Sequence, residues 1–485
     1  MRLRLWLTLV FLLGMAFSAY AERVVLRGNT EDISVLVQES NAMRTVIRFE
    51  VNAFDRTALT INGELYYSIS SGKEASFLHA GEPSLPHVNR SILIGDDVEM
   101  AVRVVSSEYQ DFPMTPVAPS KGNLLRTVNP SDVPFTFGAI YSSKDAYPAE
   151  LVQGSEPYIL RDYRGMVIEA HPFQYLPDSK TLRVYTSIVV EAANIGTSHN
   201  NVLTRTGSAR GLVPDFEQIY QRRFINYGSQ SDRYTLLPES GDMLIISYGA
   251  FAADMQPFVD WKMQKGIKTR MVNISTIGNT ATAIKNFVQA YYDTTDLAWL
   301  LLVGDAAQVA SASASGGASD PSYAKVAGSD NYPDIFVGRF SAETVAHVQT
   351  QVQRTLTYEQ TLPTTDWLNK ATGIGSDQGA GIGHNGEIDY QHMNIIRTDL
   401  LGYTYTTVDQ IYDPGANVAA VAAALNAGRS FVNYIGHGST NAWTTSGFSS
   451  SNVSALTNTN KLPLIFSVAR VNGEFNGSTC FAEAW

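Results

Sequence analysis

A histidine between two glycines, His437, and an arginine further along the chain, Arg470, are the residues whose surroundings could support chemistry. Each follows a short apolar run, at 431–435 and at 462–468, and such runs bounded by turn signals are typical of buried strands. In an open parallel sheet, the residues after the carboxyl ends of the strands gather at one edge. The sequence therefore predicts that His437 and Arg470 face each other across a cleft. A histidine with glycine neighbours is suited to act there as a general base.

These two loops resemble the histidine loop and the nucleophile loop of the gingipain family of secreted cysteine endopeptidases. The resemblance rests on YIGHGS at 434–439 and VARVNGEF at 468–475, and it extends over about 233–485 with several motifs in order. It implies a caspase-like α/β catalytic domain in which His437 is the catalytic histidine. It also implies that the amide of Gly438 helps to form the oxyanion hole, where N–H donors stabilise the tetrahedral intermediate.

Residue 470 departs from the family, which has a cysteine nucleophile where this chain has Arg470. A thiolate attacks a carbonyl, whereas a guanidinium stays protonated and offers no nucleophile. Two hypotheses follow: a cysteine endopeptidase in which a single base change has altered codon 470, or a catalytically dead pseudoprotease or binding protein that keeps the cleft. The only cysteine, Cys480, aligns with a non-catalytic segment of the family, which makes it a poor substitute nucleophile.

Two acids belong to the expected active site. Asp377 follows the segment TGIGS and would orient the histidine as the third member of a triad. In the family, the acid aligns with position 378, where this chain has Gln378. Asp389 resembles the acid at the base of the primary specificity pocket in arginine-specific members, because a buried carboxylate can bind a guanidinium through two hydrogen bonds. As an alternative, Asp389 is an acid that complements the dipole of a helix N-terminus. The predicted activity is cleavage after basic residues, with arginine favoured.

Further acids resemble the calcium sites of the family, and sites built only from oxygen donors suit Ca2+. The resemblance implies two sets of ligands: a first set of Asp305, Asp330 and Asp334 with the carbonyls of Ala327 and Tyr332, and a second set of Glu387 and Glu483 with the carbonyl of Phe475. The alternative for both sets is a solvated acidic surface. The expected cofactor is structural calcium.

The segment at 381–386 spells GxGxxG and supplies a remote alternative, a dinucleotide-binding protein. In that alternative Asp409, expected to end the next strand, would bind a ribose. Glu387 and Asp389 argue against it, because acids in the first turn of the following helix would repel a pyrophosphate.

The N-terminus and the composition restrict the class of protein. A basic segment at 1–4, an apolar segment at 5–18 and the sequence AYA at 19–21 predict a signal peptide over 1–21, cleaved after Ala21. No later transmembrane segment is evident, so we expect an exported protein, extracellular or on the cell surface. The formal net charge of −11, without clusters of Lys and Arg, argues against a nucleic-acid partner.

The elements that must position the active site follow a long β-rich region. Period-two alternation over 22–195 predicts an all-β sandwich or barrel, and the polar stretch at 196–233 is typical of an exposed linker. By resemblance, 22–233 is a propeptide that is released by cleavage after Arg233. The expected partners are this propeptide and protein or peptide substrates.

Repeated βα units over 234–485 predict a parallel sheet flanked by helices. We expect a first part at about 234–360 and a second at about 361–485. The resemblance further implies that the catalytic domain continues beyond Trp485.

Overall fold

The computed structural model describes residues 21–125, 128–205, 211–228, 241–381 and 386–485. Residues 1–20 of the predicted signal peptide at 1–21 and the predicted junction at Arg233 lie outside these residues. In the described part of the chain, no helix is both long and apolar enough to cross a membrane.

Antiparallel strands build the N-terminal region. They are β1 (Ala21–Val25), β2 (Ile33–Ser40), β3 (Arg44–Val51), β4 (Ala53–Ile61), β5 (Glu64–Ser70), β6 (Val88–Ile94), β7 (Val98–Phe112), β8 (Val152–Gly154), β9 (Tyr158–Leu160), β10 (Tyr163–Ala170), β11 (Phe173–Leu176) and β12 (Thr181–Thr197). The described sheets have the orders β1-β4-β5, β6-β10-β8 and β11-β12-β3-β2, with β9 also paired to β10 and β7 to β12.

The period-two pattern of these strands builds a core between sheets. Every second residue of β3 is buried, among them Ile47 and Phe49. These two pack in one hydrophobic cluster with Ile92 of β6 and Ile168 of β10. Because alternate side chains of a strand point to opposite faces, the cluster places two sheets face to face. The predicted β-rich domain is confirmed.

Part of the expected linker is a helix. Helix α1 (Pro214–Arg223) has proline in its first turn, acids near its start and arginines near its end, all favourable at those positions. Its residues Phe216 and Tyr220 are buried in a cluster that also contains Ala298 of the C-terminal region. The prediction of an exposed linker is therefore wrong over 211–224, because aromatic residues anchor this polar segment.

The C-terminal region begins with a parallel sheet of order β14-β13-β15-β18. Its strands are β13 (Asp242–Ser247), β14 (Lys268–Asn273), β15 (Leu297–Val303) and β18 (Phe336–Phe340), with a small hairpin of β16 (Ser313–Ala314) and β17 (Gly317–Ala318). The helices are α2 (Ala252–Gln264), α3 (Ala281–Thr294) and α4 (Val345–Gln360).

Helices cover both faces of this first sheet. On one face, Ile284 and Val288 of α3 pack with Leu244 of β13. On the other face, residues of α2 and α4 pack against alternate residues of the same strands, such as Ile245. All residues of β13 are buried, as expected for a parallel strand covered on both sides.

A second parallel sheet has the order β20-β19-β21-β25. Its strands are β19 (Lys370–Gly375), β20 (Thr407–Tyr412), β21 (Phe431–Ile435) and β25 (Leu464–Val468), and its helices are α5 (Asp389–Tyr403), α6 (Val418–Ala427), α7 (Ser450–Ser454) and α8 (Phe481–Ala484). The short strands β22 (Gly438–Ser439), β23 (Ala442–Trp443) and β24 (Phe448–Ser449) lie between β21 and α7. The predicted architecture of parallel sheets flanked by helices is confirmed.

One of the two strands that end at the site is not buried as expected. Strand β25 is at the edge of its sheet, and Leu464, Phe466 and Val468 are 63%, 54% and 54% exposed. An apolar run alone does not distinguish a central strand from an edge strand, which explains the difference.

Candidate active site

The register of two neighbouring strands places His437 beside Arg470. In the parallel pair β21 and β25, Ile435 is opposite Val468, and each of the two residues follows its strand end at the same offset. The amide of Gly436 donates to the carbonyl of Val468 at 3.4 Å, so the pairing continues just past the strands. The two loops therefore leave the sheet side by side.

Gly438 lies where these two loops touch. A Cβ atom at this position would be 2.7 Å from the carbonyl oxygen of Arg470 and 2.9 Å from the Cβ of Ala469. Real Cβ atoms do not approach backbone this closely, so only glycine fits without a shift of one loop.

The fully buried residue Tyr434 contacts the backbone of His437. The Tyr434 hydroxyl donates to the carbonyl oxygen of His437 at 2.5 Å, and the amide of Thr444 donates to the same oxygen at 2.9 Å. The Tyr434 ring stacks on Trp443, with centroids 4.8 Å apart. No role was predicted for Tyr434, although its place in YIGHGS, three residues before the histidine, was a usable signal.

Asn472 joins the two loops and was also missed. It is only 4% exposed, and its Nδ2 donates to the carbonyls of Ser439 at 2.5 Å and Ala442 at 3.1 Å. Its Oδ1 accepts a hydrogen bond from the Ser467 hydroxyl, which in turn accepts one from the indole of Trp443. A buried asparagine two residues after the nucleophile position thus cross-links the histidine loop, the 470 loop and β25.

The side chain of Arg470 is not part of this framework. It is exposed, and among the described residues its guanidinium makes no hydrogen bond or ion pair. The next residue, Val471, has a φ of 54°, a left-handed conformation that is unusual for a β-branched residue. The sharp turn at 470–471 is therefore stabilised by contacts of its backbone and of Asn472.

Asp377 lies on the other side of His437. Gly375 at the end of β19 is opposite Ile435 of β21, so Asp377 follows its strand at the same offset as His437 does. Asp377 is exposed, and among the described residues no hydrogen bond joins it to His437. Burial and the negative charge of Asp377 raise the pKa of the neighbouring Asp413. The order of the three strands brings residues 377, 437 and 470 into one row, with the histidine in the middle.

Asp389 lies beneath the loop that contains Asp377. It is 7% exposed, begins α5 and accepts a hydrogen bond from the Ser376 hydroxyl. Its amide donates to the carbonyl of Gln378 at 3.0 Å, and a Cβ at Gly379 would be 3.2 Å from its Oδ1. The structure confirms a carboxylate at a helix N-terminus, and its role in a specificity pocket stays a prediction.

The first predicted set of calcium ligands is divided between two ends of a sheet. Asp305 follows the carboxyl end of β15, where its Oδ1 accepts hydrogen bonds from the amide of Ala306 and the hydroxyl of Ser341. Asp330 and Asp334 precede β18, which runs parallel to β15. A strand of this length separates the two ends by on the order of 15 Å. The five residues therefore do not form one site.

Asp330 and Asp334 each accept three hydrogen bonds from N–H donors. The carboxylate of Asp334, a fully buried residue, accepts from the amides of Arg161, Val326 and Ala327, at 2.7–2.8 Å. The carboxylate of Asp330 accepts from the amides of Ile159 and Tyr332 and from the side chain of Asn201 at similar distances. Burial raises the pKa of Asp334 to about 6. Each carboxylate thus has three N–H partners among the described residues.

The two acids of the second predicted set have protein partners of their own. Glu387 pairs with Nδ1 of His392 at 2.9 Å, whereas Glu483 accepts from the hydroxyl of Ser341 and the amide of Cys480, both at 2.7 Å. The Phe475 ring lies 4.8 Å from the Arg339 guanidinium. In the described residues, no group of three or more His, Cys, Asp and Glu is arranged to hold a metal ion. Calcium stays a prediction.

The structure argues against Cys480 as a nucleophile and against Asp409 as a ribose-binding acid. Cys480 is 1% exposed, and burial raises its pKa to about 11, so it is an inert thiol rather than a nucleophile. Asp409 lies inside β20 rather than at its end, and both of its oxygens bind the Arg429 guanidinium, so it is not free for a ribose. Residues 382–385 of the GxGxxG segment lie outside the described residues.

A β-rich N-terminal domain is followed by parallel α/β sheets in which the loop of His437 lies beside the loop of residue 470, the organisation that the resemblance to a propeptide and a peptidase domain implies. Family models agree: Propeptide_C25 matches residues 25–224 and Peptidase family C25 matches residues 236–485. The chain belongs to peptidase family C25. The resemblance inferred from the two loops is confirmed.

The relatives include Gingipain R1 of Porphyromonas gingivalis, 37% identical over 97% of this chain and 47% of the relative. Gingipain R2 of the same organism is 38% identical over 97% of this chain and 64% of the relative. A crystal structure of the Arg-specific cysteine proteinase gingipain R is 42% identical, with a TM-score of 0.50, over 52% of this chain and 60% of that one. The chain thus spans about half to two thirds of the length of these relatives.

Proposed function

We propose that the cleft between the 437 and 470 loops is the active site of an arginine-directed cysteine endopeptidase, made as an exported zymogen. The observation that carries the proposal is the buried carboxylate of Asp389 beneath the loop that follows β19, next to the histidine loop. A guanidinium that enters from the cleft would find a desolvated carboxylate, which favours a charge-assisted, bidentate contact. The relative whose title describes it as Arg-specific supports the same choice of substrate.

The reaction requires a thiolate at residue 470. With cysteine there, the sulfur would lie beside His437, form a bond to the scissile carbonyl carbon and give a thioester as the C–N bond breaks. His437 would supply the proton that leaves with the amine. Water would then hydrolyse the thioester and restore the thiol. The amide of Gly438 would donate to the oxyanion of each tetrahedral intermediate.

With Arg470 in place, this chain should bind but not cleave. The second candidate function is therefore a pseudoprotease that holds basic peptides in an intact cleft. Arg470 favours this candidate, because its side chain is exposed and, among the described residues, its guanidinium makes no hydrogen bond or ion pair.

The propeptide reaches the loop that leads to Asp389, which supports the zymogen part of the proposal. A Cβ at Gly381 would be 3.1 Å from Pro130 of the N-terminal domain, so these two residues are packed together. A bound propeptide at this place would hinder access of substrates to the proposed specificity pocket.

The test is Arg470→Cys, made in the complete gene product. Fluorogenic peptides with Arg, Lys or Ala before the scissile bond should show cleavage after Arg above Lys, and the parent should be inert. A further His437→Ala change should abolish the activity, whereas Cys480→Ala should leave it unchanged. Asp389→Asn should reduce cleavage after Arg much more than binding of a non-basic inhibitor. A folded Arg470→Cys protein that binds Arg peptides and cleaves none would favour the pseudoprotease.

A further inference from the structure

The peptide unit between His437 and Gly438 is held on its carbonyl side by two donors. The carbonyl oxygen accepts hydrogen bonds from the hydroxyl of Tyr434 at 2.5 Å and from the amide of Thr444 at 2.9 Å. Tyr434 is fully buried, and a hydrogen bond inside a protein is electrostatically stronger than one in water. The two donors come from different segments of the chain, and together they fix the direction in which this carbonyl points.

The direction of the carbonyl determines the direction of the Gly438 amide. The His437–Gly438 peptide is trans, and in a trans peptide the C=O and the N–H of one unit point in opposite directions. Gly438 is opposite Trp443 in the antiparallel pair β22 and β23, and the bond from Thr444 to His437 makes these two a non-hydrogen-bonded pair. The Gly438 N–H thus points away from both the Tyr434 hydroxyl and β23.

The hydroxyl of Tyr434 has fixed partners of its own. The amide of Thr445 donates to it at 3.2 Å, and Oγ1 of Thr445 lies 3.0 Å from it. A Cβ at Gly436 would be 2.5 Å from the hydroxyl oxygen, so the glycine leaves the space that the hydroxyl needs. One buried oxygen therefore joins the histidine to the segment at 444–445.

The ring of Tyr434 connects the same peptide unit to the loop of residue 470. It stacks on Trp443, with the two ring planes inclined by 8°. The Trp443 indole donates to the Ser467 hydroxyl at 2.8 Å, and that hydroxyl donates to Asn472 at 2.9 Å. Because Asn472 follows residue 470 by two positions, Tyr434 is part of a continuous set of contacts that reaches both loops of the cleft.

We propose that Tyr434 is a positioning residue, whose hydroxyl fixes the His437–Gly438 peptide so that the Gly438 N–H is oriented toward the oxyanion. This inference rests on the proposed function, in which that N–H stabilises the tetrahedral intermediate. Negative charge develops on the substrate oxygen only as the intermediate forms, so a well-oriented donor stabilises the transition state more than the bound substrate. Loss of the Tyr434 hydroxyl should therefore lower kcat and leave KM nearly unchanged.

The variant Tyr434→Phe keeps the ring that stacks on Trp443 and removes only the hydroxyl. The matched control is Tyr323→Phe. Tyr323 is also fully buried, and its hydroxyl also donates to a main-chain carbonyl, that of Ala310, at 2.8 Å. It belongs to the hydrophobic cluster of the first parallel sheet, whereas His437 follows a strand of the second. The two variants thus remove the same chemical group from equally buried positions.

The kinetic test compares both variants in the complete gene product that carries Arg470→Cys, on an Arg fluorogenic peptide. Loss of one oxyanion donor costs about 10²–10³ in kcat, so we expect Tyr434→Phe to lower kcat at least about tenfold, with KM within about twofold. Tyr323→Phe should leave both constants within about twofold. Alkylation of the introduced thiol by iodoacetamide, measured against pH, should be the same with and without the Tyr434 hydroxyl, because the thiol and the imidazole are unchanged.

Hydrogen exchange on the parent with Arg470 tests the positioning without any cleavage. Peptides that contain the amides of Thr444 and Thr445 should exchange about fivefold faster in Tyr434→Phe, because Thr445 loses its acceptor, and at the parent's rate in Tyr323→Phe. Unchanged exchange in Tyr434→Phe, an unchanged kcat, or an alkylation rate that falls together with kcat would overturn the proposal. If the Arg470→Cys protein cleaves nothing, the proposed function fails, and the exchange measurement alone decides whether Tyr434 fixes this peptide.

Discussion

Replacement of Asn472 by alanine should loosen the contact between the histidine loop and the loop of residue 470. The change removes two hydrogen bonds, to the carbonyls of Ser439 and Ala442, and leaves the Ser467 hydroxyl without its acceptor. A typical intramolecular hydrogen bond contributes about 1 kcal/mol, and a buried group left without a partner costs about 1–3 kcal/mol. Because Asn472 is almost fully buried, we expect a loss of about 2–4 kcal/mol in the free energy of unfolding.

Urea unfolding followed by tryptophan fluorescence checks this expectation, since Trp443 is part of the same hydrogen-bonded chain. The matched control is Asn426→Ala: Asn426 is exposed and its side chain accepts one hydrogen bond, from the amide of Thr457, so the loss should stay below about 1 kcal/mol. In the Arg470→Cys background, Asn472→Ala should also lower kcat, because His437 and the nucleophile would lose their fixed separation. Equal losses of stability in Asn472→Ala and Asn426→Ala would refute the role of Asn472.

Two further predictions concern ionisable groups. Burial raises the pKa of Cys480 to about 11, so a thiol reagent at pH 8 should label the folded parent slowly and the unfolded chain quickly. The variant Arg470→Cys should gain one fast-reacting thiol. Fast labelling of the folded parent would contradict this prediction. Burial alone would raise the pKa of Glu359, but hydrogen bonds from Lys262, Lys265 and Trp261 lower it to about 2. A carboxyl group whose pKa is lower in the folded than in the unfolded state stabilises the fold at pH values above its unfolded-state pKa. Glu359→Gln should therefore lower the free energy of unfolding by about 2 kcal/mol at pH 7. In urea titrations this difference should vanish as the pH falls from about 5 to about 2.

The sequence predicted the row of strand ends because that inference needs only local patterns. The apolar runs before His437 and residue 470, and the alternation in β3, report strands directly, and parallel order then aligns the loops. Helix α1 carried the usual signals of a proline start and a basic end, but the polar composition around it suggested a linker. Its aromatic residues find their partners only in the distant C-terminal region, which no local pattern reveals.

The calcium ligands and Asn472 show a different limit. Asp305, Asp330 and Asp334 are oxygen donors of the right type, yet Asp305 follows one strand while the others precede the next, so a parallel pair separates them. Asn472 has no chemical function of its own, and its value depends on two carbonyls that tertiary structure brings to it. The type of a residue predicts which ligands its side chain can bind, whereas the order of the strands determines which residues lie next to it.

The structure also explains how residue 470 can be replaced while the fold around it is kept. The turn at 470–471 depends on the glycine at 438, the side chain of Asn472 and the left-handed backbone of Val471, and not on the side chain at 470. A substitution at 470 therefore costs little stability, since an exposed side chain without partners contributes little. Selection on folding alone would not oppose either arginine or cysteine there. An experiment that distinguishes an endopeptidase from a pseudoprotease therefore has to measure the chemistry at residue 470.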